Sequence, residues 1–196
     1  MLKFIDQLTK NELKGKKVLL RVDFNVSVVN GKITEVFRIE AVKETVDYLM
    51  DNGAKIALAS HIEAIPSFGP IVSQIKEVLG FGDLNLTLAS LNELKSLDQF
   101  FKTCPAVLID NIRQDKREVK NDREFALNLS KGFDFYVNDA FAVCHRNHAS
   151  VSAITEYLPS YAGLLMRAET ETLTDVILEP AADKILVLGG AKISTK

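Results

Sequence analysis

The chain has 196 residues, 47% hydrophobic and 26% charged, the balance of an ordinary soluble globular protein with length for one substantial core. A net charge of −2 gives no global attraction to nucleic acid or to a membrane surface, and two cysteines make no disulfide framework, so a reducing cytoplasm is the expected setting. No apolar run is long enough to span a bilayer, and the opening MLKFIDQLTK lacks the apolar core of a secretion signal.

Taken in chain order, VLLRVDF (18–24) reads as a buried strand. Asn30-Gly31, between VSVV and KIT, marks a tight turn and hence a small hairpin. Residues 38–52 carry Ile39, Val42, Val46 and Leu49 at helical spacing, and Gly53 stands where a helix-ending glycine belongs. KIALAS (55–60) is the next strand. Pro70 opens a helix bearing Ile71, Ile75, Val78 and Leu79, which Gly80 stops. LNLTL (84–88) is a weaker strand, Ser90 with Glu93 forms a capping-box pattern, and AVLID (106–110) is a strand. Asn121 with Glu124 repeats the cap signature before FALNLSK, a helix ended by Gly132. FDFYVNDAF (133–141) holds another strand, TETLTDVILE (170–179) reads as a helix, and KILVLGGAK (184–192) as a strand running into a glycine turn. This alternation predicts the α/β class, a three-layer α/β/α arrangement around a parallel sheet. Ligands of such sheets sit beyond the carboxyl ends of the strands.

That rule turns the strands into a list of candidate site residues. Asp23 and Asn25 follow the first strand, His61 follows KIALAS, Asn111 and Arg113 follow AVLID, and His145, Arg146 and His148 follow FYVNDAF, while Arg38 opens the first long helix. Arginine suits phosphate and carboxylate because its planar fork makes two parallel hydrogen bonds. Each residue also has a plainer reading. Asp23 and Asn25 suit a turn, Arg38 a helix surface, His61 a strand end bonded to backbone, and Arg113 a solvated face in IRQDKREVKNDRE. The cluster CHRNHAS (144–150) is harder to explain that way, because three cationisable groups in four residues repel one another unless an anion or carboxylate is near.

At this point the chain resembles the phosphoglycerate kinase family. GKKVLLRVDFNVSVVNGKIT is similar to that family's first strand and hairpin, and FRIEAVKETVDYLMDNGAKIALASH to its first helix and second strand. LIDNIRQDKREVKNDREFALNLS resembles its Glu-Asn-Leu-Arg-Phe segment, YVNDAFAVCHRNHASVSAI its His-Arg-x-His-Ala-Ser signature, and LVLGGAKISTK its nucleotide-side glycine turn. The family is a bilobal kinase about twice this length, a Rossmann-like lobe for 3-phosphoglycerate joined to one for magnesium-bound ATP or ADP. The resemblance implies a phosphoglycerate-binding lobe over 1–180 and the start of a nucleotide-binding lobe over 181–196. It implies a cytoplasmic monomer of glycolysis that moves a phosphoryl group between 1,3-bisphosphoglycerate and ADP, with neither nucleic acid nor membrane as partner. The present residues alone are expected to be inactive.

Carried over by position, the resemblance gives Asp23 and Asn25 to the glycerate end of the substrate. Arg38 goes to its carboxylate and to the phosphoryl group in flight. His61, Arg113 and Arg146 hold the 3-phosphate with His145 and His148 nearby, and Lys192 and Lys196 reach the nucleotide phosphates, Arg38 and both lysines acting in catalysis. No residue here is assigned to a metal; magnesium enters with the nucleotide, mainly on the other lobe. One segment departs from the pattern. Where the family continues His-Leu-Gly-Arg, this chain has His61-Ile62-Glu63-Ala64, and Gln114 replaces an aromatic after Arg113. Losing one charge-assisted phosphate contact costs on the order of 1.5–3 kcal/mol, and Glu63 is expected to add repulsion if it faces the site. Lys116 and Arg117 are the nearby residues that would complete the patch. The alternative is a truncated or degenerate, non-catalytic α/β module that binds an anion.

Overall fold

The computed structural model describes residues 2–82, 86–180 and 184–185. The chain enters through a 3-10 turn, Ile5–Gln7, and a short helix α1 (Lys10–Leu13), where the Thr9 N–H and Oγ1 both donate to the Glu12 carboxylate at 2.7 Å. Strand β1 (Lys17–Arg21) follows, then the hairpin β2 (Val28–Val29) and β3 (Lys32–Ile33). Asn30 and Gly31 both take positive φ at its turn, the conformation that an Asn-Gly pair supplies most cheaply. Next come α2 (Phe37–Glu40), α3 (Lys43–Asp51), β4 (Lys55–Ala59), α4 (Val72–Leu79), β5 (Leu86–Ala89), α5 (Leu97–Phe100) and β6 (Ala106–Ile109). The chain continues with α6 (Arg123–Ser130), β7 (Phe135–Asn138), β8 (Ser160–Ala162) and α7 (Leu164–Leu178).

Six strands form one parallel sheet in the order β5-β6-β4-β1-β7-β8. Alternate residues of each strand feed opposite faces. Val18 and Leu20 of β1 join Ile56, Leu58, Val46, Leu49, Ile75 and Leu79 in one buried cluster under α3 and α4. Leu19 joins Ala57, Val107, Ile109, Phe125, Leu129 and Tyr136 in a second cluster under α6. Both faces of the central strands are therefore covered, which is why they read as continuous apolar runs rather than alternating ones.

Three local expectations are revised. The helix expected over 38–52 is interrupted: at Val42 ψ is −3°, which opens the ladder between α2 and α3 while Ile39, Val42, Val46 and Leu49 still share the buried face. The cap of α6 is Asp122, whose side chain accepts from the Phe125 N–H at 2.8 Å. Asn121 instead sits one residue earlier at φ +54° and uses its Oδ1 to hold the Ala153 N–H. The last helix begins well before residue 170, because its first turn is anchored from outside. Thr45 Oγ1 accepts the Leu164 N–H, and the buried Asp139 carboxylate accepts from Leu165 and Met166. The strand expected over 184–192 lies largely outside the described residues.

A Cβ at Gly163 would fall inside the van der Waals shell of the Asp139 carboxyl. Gly163→Ala is therefore expected to destabilise the fold by about 1–3 kcal/mol, seen as a lower urea midpoint; an unchanged midpoint would show that α7 shifts freely away from the carboxylate. Burial raises Asp139 from 3.8 to about 6, against the hydrogen bonds it accepts from Thr45, Met166 and Leu165. The raised pKa means the folded state binds this proton more tightly than the unfolded chain does. Its contribution is fully present below pH 3.8 and is lost as the pH rises through about 6. Asp139→Asn is expected to remove that segment of the stability–pH curve, measured by urea unfolding at stepped pH.

Candidate functional site

The carboxyl ends of β6, β4, β1 and β7 lie side by side, so the segments that leave them meet along one edge of the sheet. At its centre is a residue absent from the sequence-level candidates, Arg21, the last residue of β1 and only 1% exposed. Its guanidinium donates to the Val22 and Ala59 carbonyls, to Ser150 Oγ at 2.9 Å and to His61 Nδ1 at 3.2 Å. Ser150 in turn donates from Oγ and from its backbone N–H to the carboxylate of Glu118, at 2.6 and 2.9 Å. Glu118 is 0% exposed. Burial pushes Glu118 up, opposed by the Ser150 hydrogen bonds and by the charge of Arg21. Tyr136 closes the network by donating to the Ser150 carbonyl at 2.7 Å. The sequence did carry a signal: Arg21 is a cation within the apolar run VLLRV, and such a charge needs buried acceptors.

Arg21 also fixes the state of His61. A guanidinium only donates, so His61 Nδ1 accepts and the ring proton of the neutral imidazole resides on Nε2. That Nε2 is buried and meets no hydrogen-bond partner among the described residues. Burial, followed by the positive charges of Arg21, Arg113, Arg146 and His148, lowers the His61 pKa to about 3. Four cationic or cationisable side chains thus bear on a neutral, unpaired N–H donor. His148 is half-buried, its Nδ1 3.9 Å from Glu118, and burial with the neighbouring arginines lowers it as well.

The remaining candidates extend this cluster along the edge. Arg38 of α2 is ion-paired with Asp23, which is nearly buried and also accepts the Asn25 N–H at 3.1 Å. Asp23 and Arg38 line a hollow of ≈ 200 Å³ together with Phe37, Asp139, Phe141 and Leu165. Asn25 Oδ1 accepts the Glu63 N–H at 2.9 Å, and the Glu63 carboxylate is ion-paired with Arg113. His61, Arg113, Arg146 and His148 therefore come together around Arg21, with Asp23, Asn25 and Arg38 beside them. His145 is exposed and bears on His148 through its charge. Arg117 turns to Asp115 at 2.7 Å, away from the role of completing the patch. Lys192 and Lys196 lie outside the described residues.

Removing Glu118 would leave the Arg21 charge buried without its anion. Glu118→Ala is expected to cost about 3–5 kcal/mol, read from chemical denaturation; a cost below about 1 kcal/mol would mean Ser150 and the carbonyls suffice. His61 gives a separate pH signature. Its folded pKa is depressed below the ordinary 6.5, so its contribution is present above pH 6.5 and is lost as the pH falls towards about 3. His61→Asn is expected to flatten that acid limb by up to about 1.4 kcal/mol per pH unit, and an unaltered limb would show that His61 protonates freely in the fold.

Comparison with known proteins places this edge in context. A sequence model of the family described as phosphoglycerate kinase matches residues 7–196. The chain is 41% identical over 200 residues to the phosphoglycerate kinase of Dictyoglomus turgidum, covering 99% of the chain and 50% of that protein. It is 40% identical over 195 residues to the one from Methylorubrum extorquens strain PA1, covering 94% of the chain and 48% of the relative. Among solved structures, phosphoglycerate kinase from Pyrococcus horikoshii OT3 superimposes with a TM-score of 0.84 at 27% identity, over 99% of this chain and 50% of that one. The Coxiella burnetii enzyme gives 0.80 at 28% identity, over 100% and 50%. The chain thus spans about half the length of the relatives it matches. With the parallel sheet, the helices on both faces and the match over nearly all of its sequence, this chain belongs to the phosphoglycerate kinase family.

Proposed function

We propose that this chain supplies the phosphoglycerate-binding half of a phosphoglycerate kinase. The reaction is reversible transfer of the acyl phosphoryl group of 1,3-bisphosphoglycerate to the terminal phosphate of ADP, leaving 3-phosphoglycerate and ATP. Residues 1–180 form the substrate lobe in this reading and 181–196 begin the nucleotide lobe, where Lys192 and Lys196 approach the nucleotide phosphates.

One observation carries the reading: the buried Nε2–H of His61, without a hydrogen-bond partner among the described residues and with Arg21, Arg113, Arg146 and His148 bearing on it. A buried donor without an acceptor is costly in the free protein, and a phosphate oxygen is the acceptor that the surrounding positive charge favours. In the proposed pose the 3-phosphate docks on His61, Arg113 and Arg146, with His148 and the exposed His145 adding charge. Asp23 and Asn25 meet the glycerate hydroxyl and carboxyl end. Arg38, held by Asp23 beside the hollow, supports the substrate carboxylate and the phosphoryl group in transfer. Phosphoryl transfer asks mainly for positioning and for charge stabilisation set up in advance, and fixed guanidinium donors provide both. Closure of a second lobe over this edge would exclude water and bring the nucleotide to the acyl phosphate.

Among the described residues there is no group of three or more His, Cys, Asp or Glu side chains able to hold a metal ion. Mg2+ with ATP or ADP is proposed to be held mainly by the nucleotide half. The chain is proposed to work as a cytoplasmic monomer. Among the described residues no helix is long and apolar enough to cross a membrane.

Titrating the 196-residue chain with 3-phosphoglycerate by NMR is expected to shift resonances of His61, Arg113 and Arg146 at millimolar ligand, in a salt-sensitive way and with no ATP-dependent turnover by these residues alone. Arg146→Ala is expected to weaken binding by at least about tenfold. Absence of shifts at those residues would overturn the site. Ala64 is exposed and lines the open pocket beside Arg113, so Ala64→Arg is expected to tighten binding; unchanged affinity would mean that position 64 does not face the phosphate.

A further inference from the structure

The contact between Glu63 and Arg113 goes further than the reading above, and rests on it. Arg113 is largely buried, with 18% of its side chain exposed, while the Glu63 side chain is 60% exposed at the mouth of the cluster. The backbone that carries Glu63 is fixed. Its N–H is held by Asn25 Oδ1. The Asn111 amide donates to the carbonyls of Ile62, Ile65 and Pro66 at 2.8, 3.3 and 3.2 Å, and Gln114 donates to Pro66 at 3.0 Å. The carboxylate, by contrast, is tied to the protein through Arg113 alone among the hydrogen bonds and ion pairs of the described residues. Rotating one exposed side chain is enough to release it.

We propose that Glu63 is a built-in competitor for the anion: its carboxylate occupies the Arg113 guanidinium in the free protein, and a phosphate that docks there must displace it. The two groups have the same chemistry as Arg ligands, planar or tetrahedral oxyanions that accept from the guanidinium fork. Arg113 is thereby kept neutralised and oriented until a phosphate arrives. The dianion prevails because it also engages Arg146 and the His61 N–H, which Glu63 does not reach through any bond in this structure. Glu63 accordingly lowers affinity without altering which group is recognised.

An ion pair with one highly exposed partner is weak, so the effect is modest. Glu63→Gln is expected to bind 3-phosphoglycerate, and inorganic phosphate as a second probe, about 1.5- to 5-fold more tightly than the parent chain in calorimetric titration. Its affinity is also expected to fall more steeply with salt, because Arg113 then exchanges salt ions rather than an internal carboxylate. In an Arg113→Gln background the same substitution is expected to change nothing, since the coupling runs through that pair. Equal affinity and salt slope with Glu63→Gln would overturn the competitor role while leaving the site intact, provided Arg146→Ala still weakens binding by at least about tenfold. Weaker binding with Glu63→Gln would overturn it in favour of Glu63 as an orienting group. No binding of either probe to either protein would overturn the site reading and this inference together.

Discussion

The permanent charge of Arg21, buried at the end of the central strand, is the constraint around which this edge of the protein is built. Taking a guanidinium out of water costs several kcal/mol unless good acceptors replace the lost hydration. Here the acceptors come from four separate places: the Val22 carbonyl just past its own strand, Ala59 on β4, Ser150 after β7 and His61 beyond β4. Glu118, reached through Ser150, supplies the countercharge from the segment after β6. Satisfying one side chain therefore fixes the relative positions of three strand ends and the turns that leave them. The Glu118 carbonyl adds to this by accepting the Ala149 N–H at 2.8 Å, so the 118 and 149 segments are clamped by backbone as well as by side chains.

The chemistry of the site follows from that anchor. A guanidinium cannot give up its proton at any physiological pH, so it dictates the tautomer of His61; burial first, and then the charges of Arg21, Arg113 and Arg146, keep the ring neutral. A neutral histidine presents a single N–H without adding another charge to an already positive cluster. Two of the other cations are paired internally, Arg38 with Asp23 and Arg113 with Glu63. The free protein thus stores part of the positive charge of this edge as ion pairs. That fits a chain whose net charge is close to zero and whose candidate site is nonetheless rich in arginine.

Much of this was legible in the sequence where the signal is local. Gly53 and Gly80 both adopt positive φ after helices whose buried residues follow the expected period, because a glycine stop and a helical stripe are properties of adjacent residues. The strand-end rule brought His61, Arg113, Arg146 and His148 to one edge without reference to any contact. Features set by tertiary partners were not legible. Strand β8 has three residues and, among the described residues, pairs with β7 and with the isolated bridge at Phe4, too short for a period of two to register. Glu118 sat in a run of charges that reads as a solvated face, and only the fold places it at 0% exposure against Ser150. The cap at Asp122 instead of Asn121 turned on a single left-handed residue.

Glu63 shows how a sequence expectation changes meaning once partners are known. Compared with the family pattern, glycine to Glu63 and arginine to Ala64 each make the loop more negative, and from sequence alone the glutamate reads as repulsion towards an incoming phosphate. In the fold it lies against Arg113, so its first effect is to neutralise a cation rather than to repel an anion. The two effects have different consequences. Repulsion would act on any approaching anion over a Debye length of roughly 8–10 Å, whereas competition for one guanidinium stabilises the free protein and so weakens only the binding of a group that must dock on Arg113. The alanine at position 64 removes a further positive charge from the same loop, so both departures from the family pattern lower the positive charge that this edge offers to an anion.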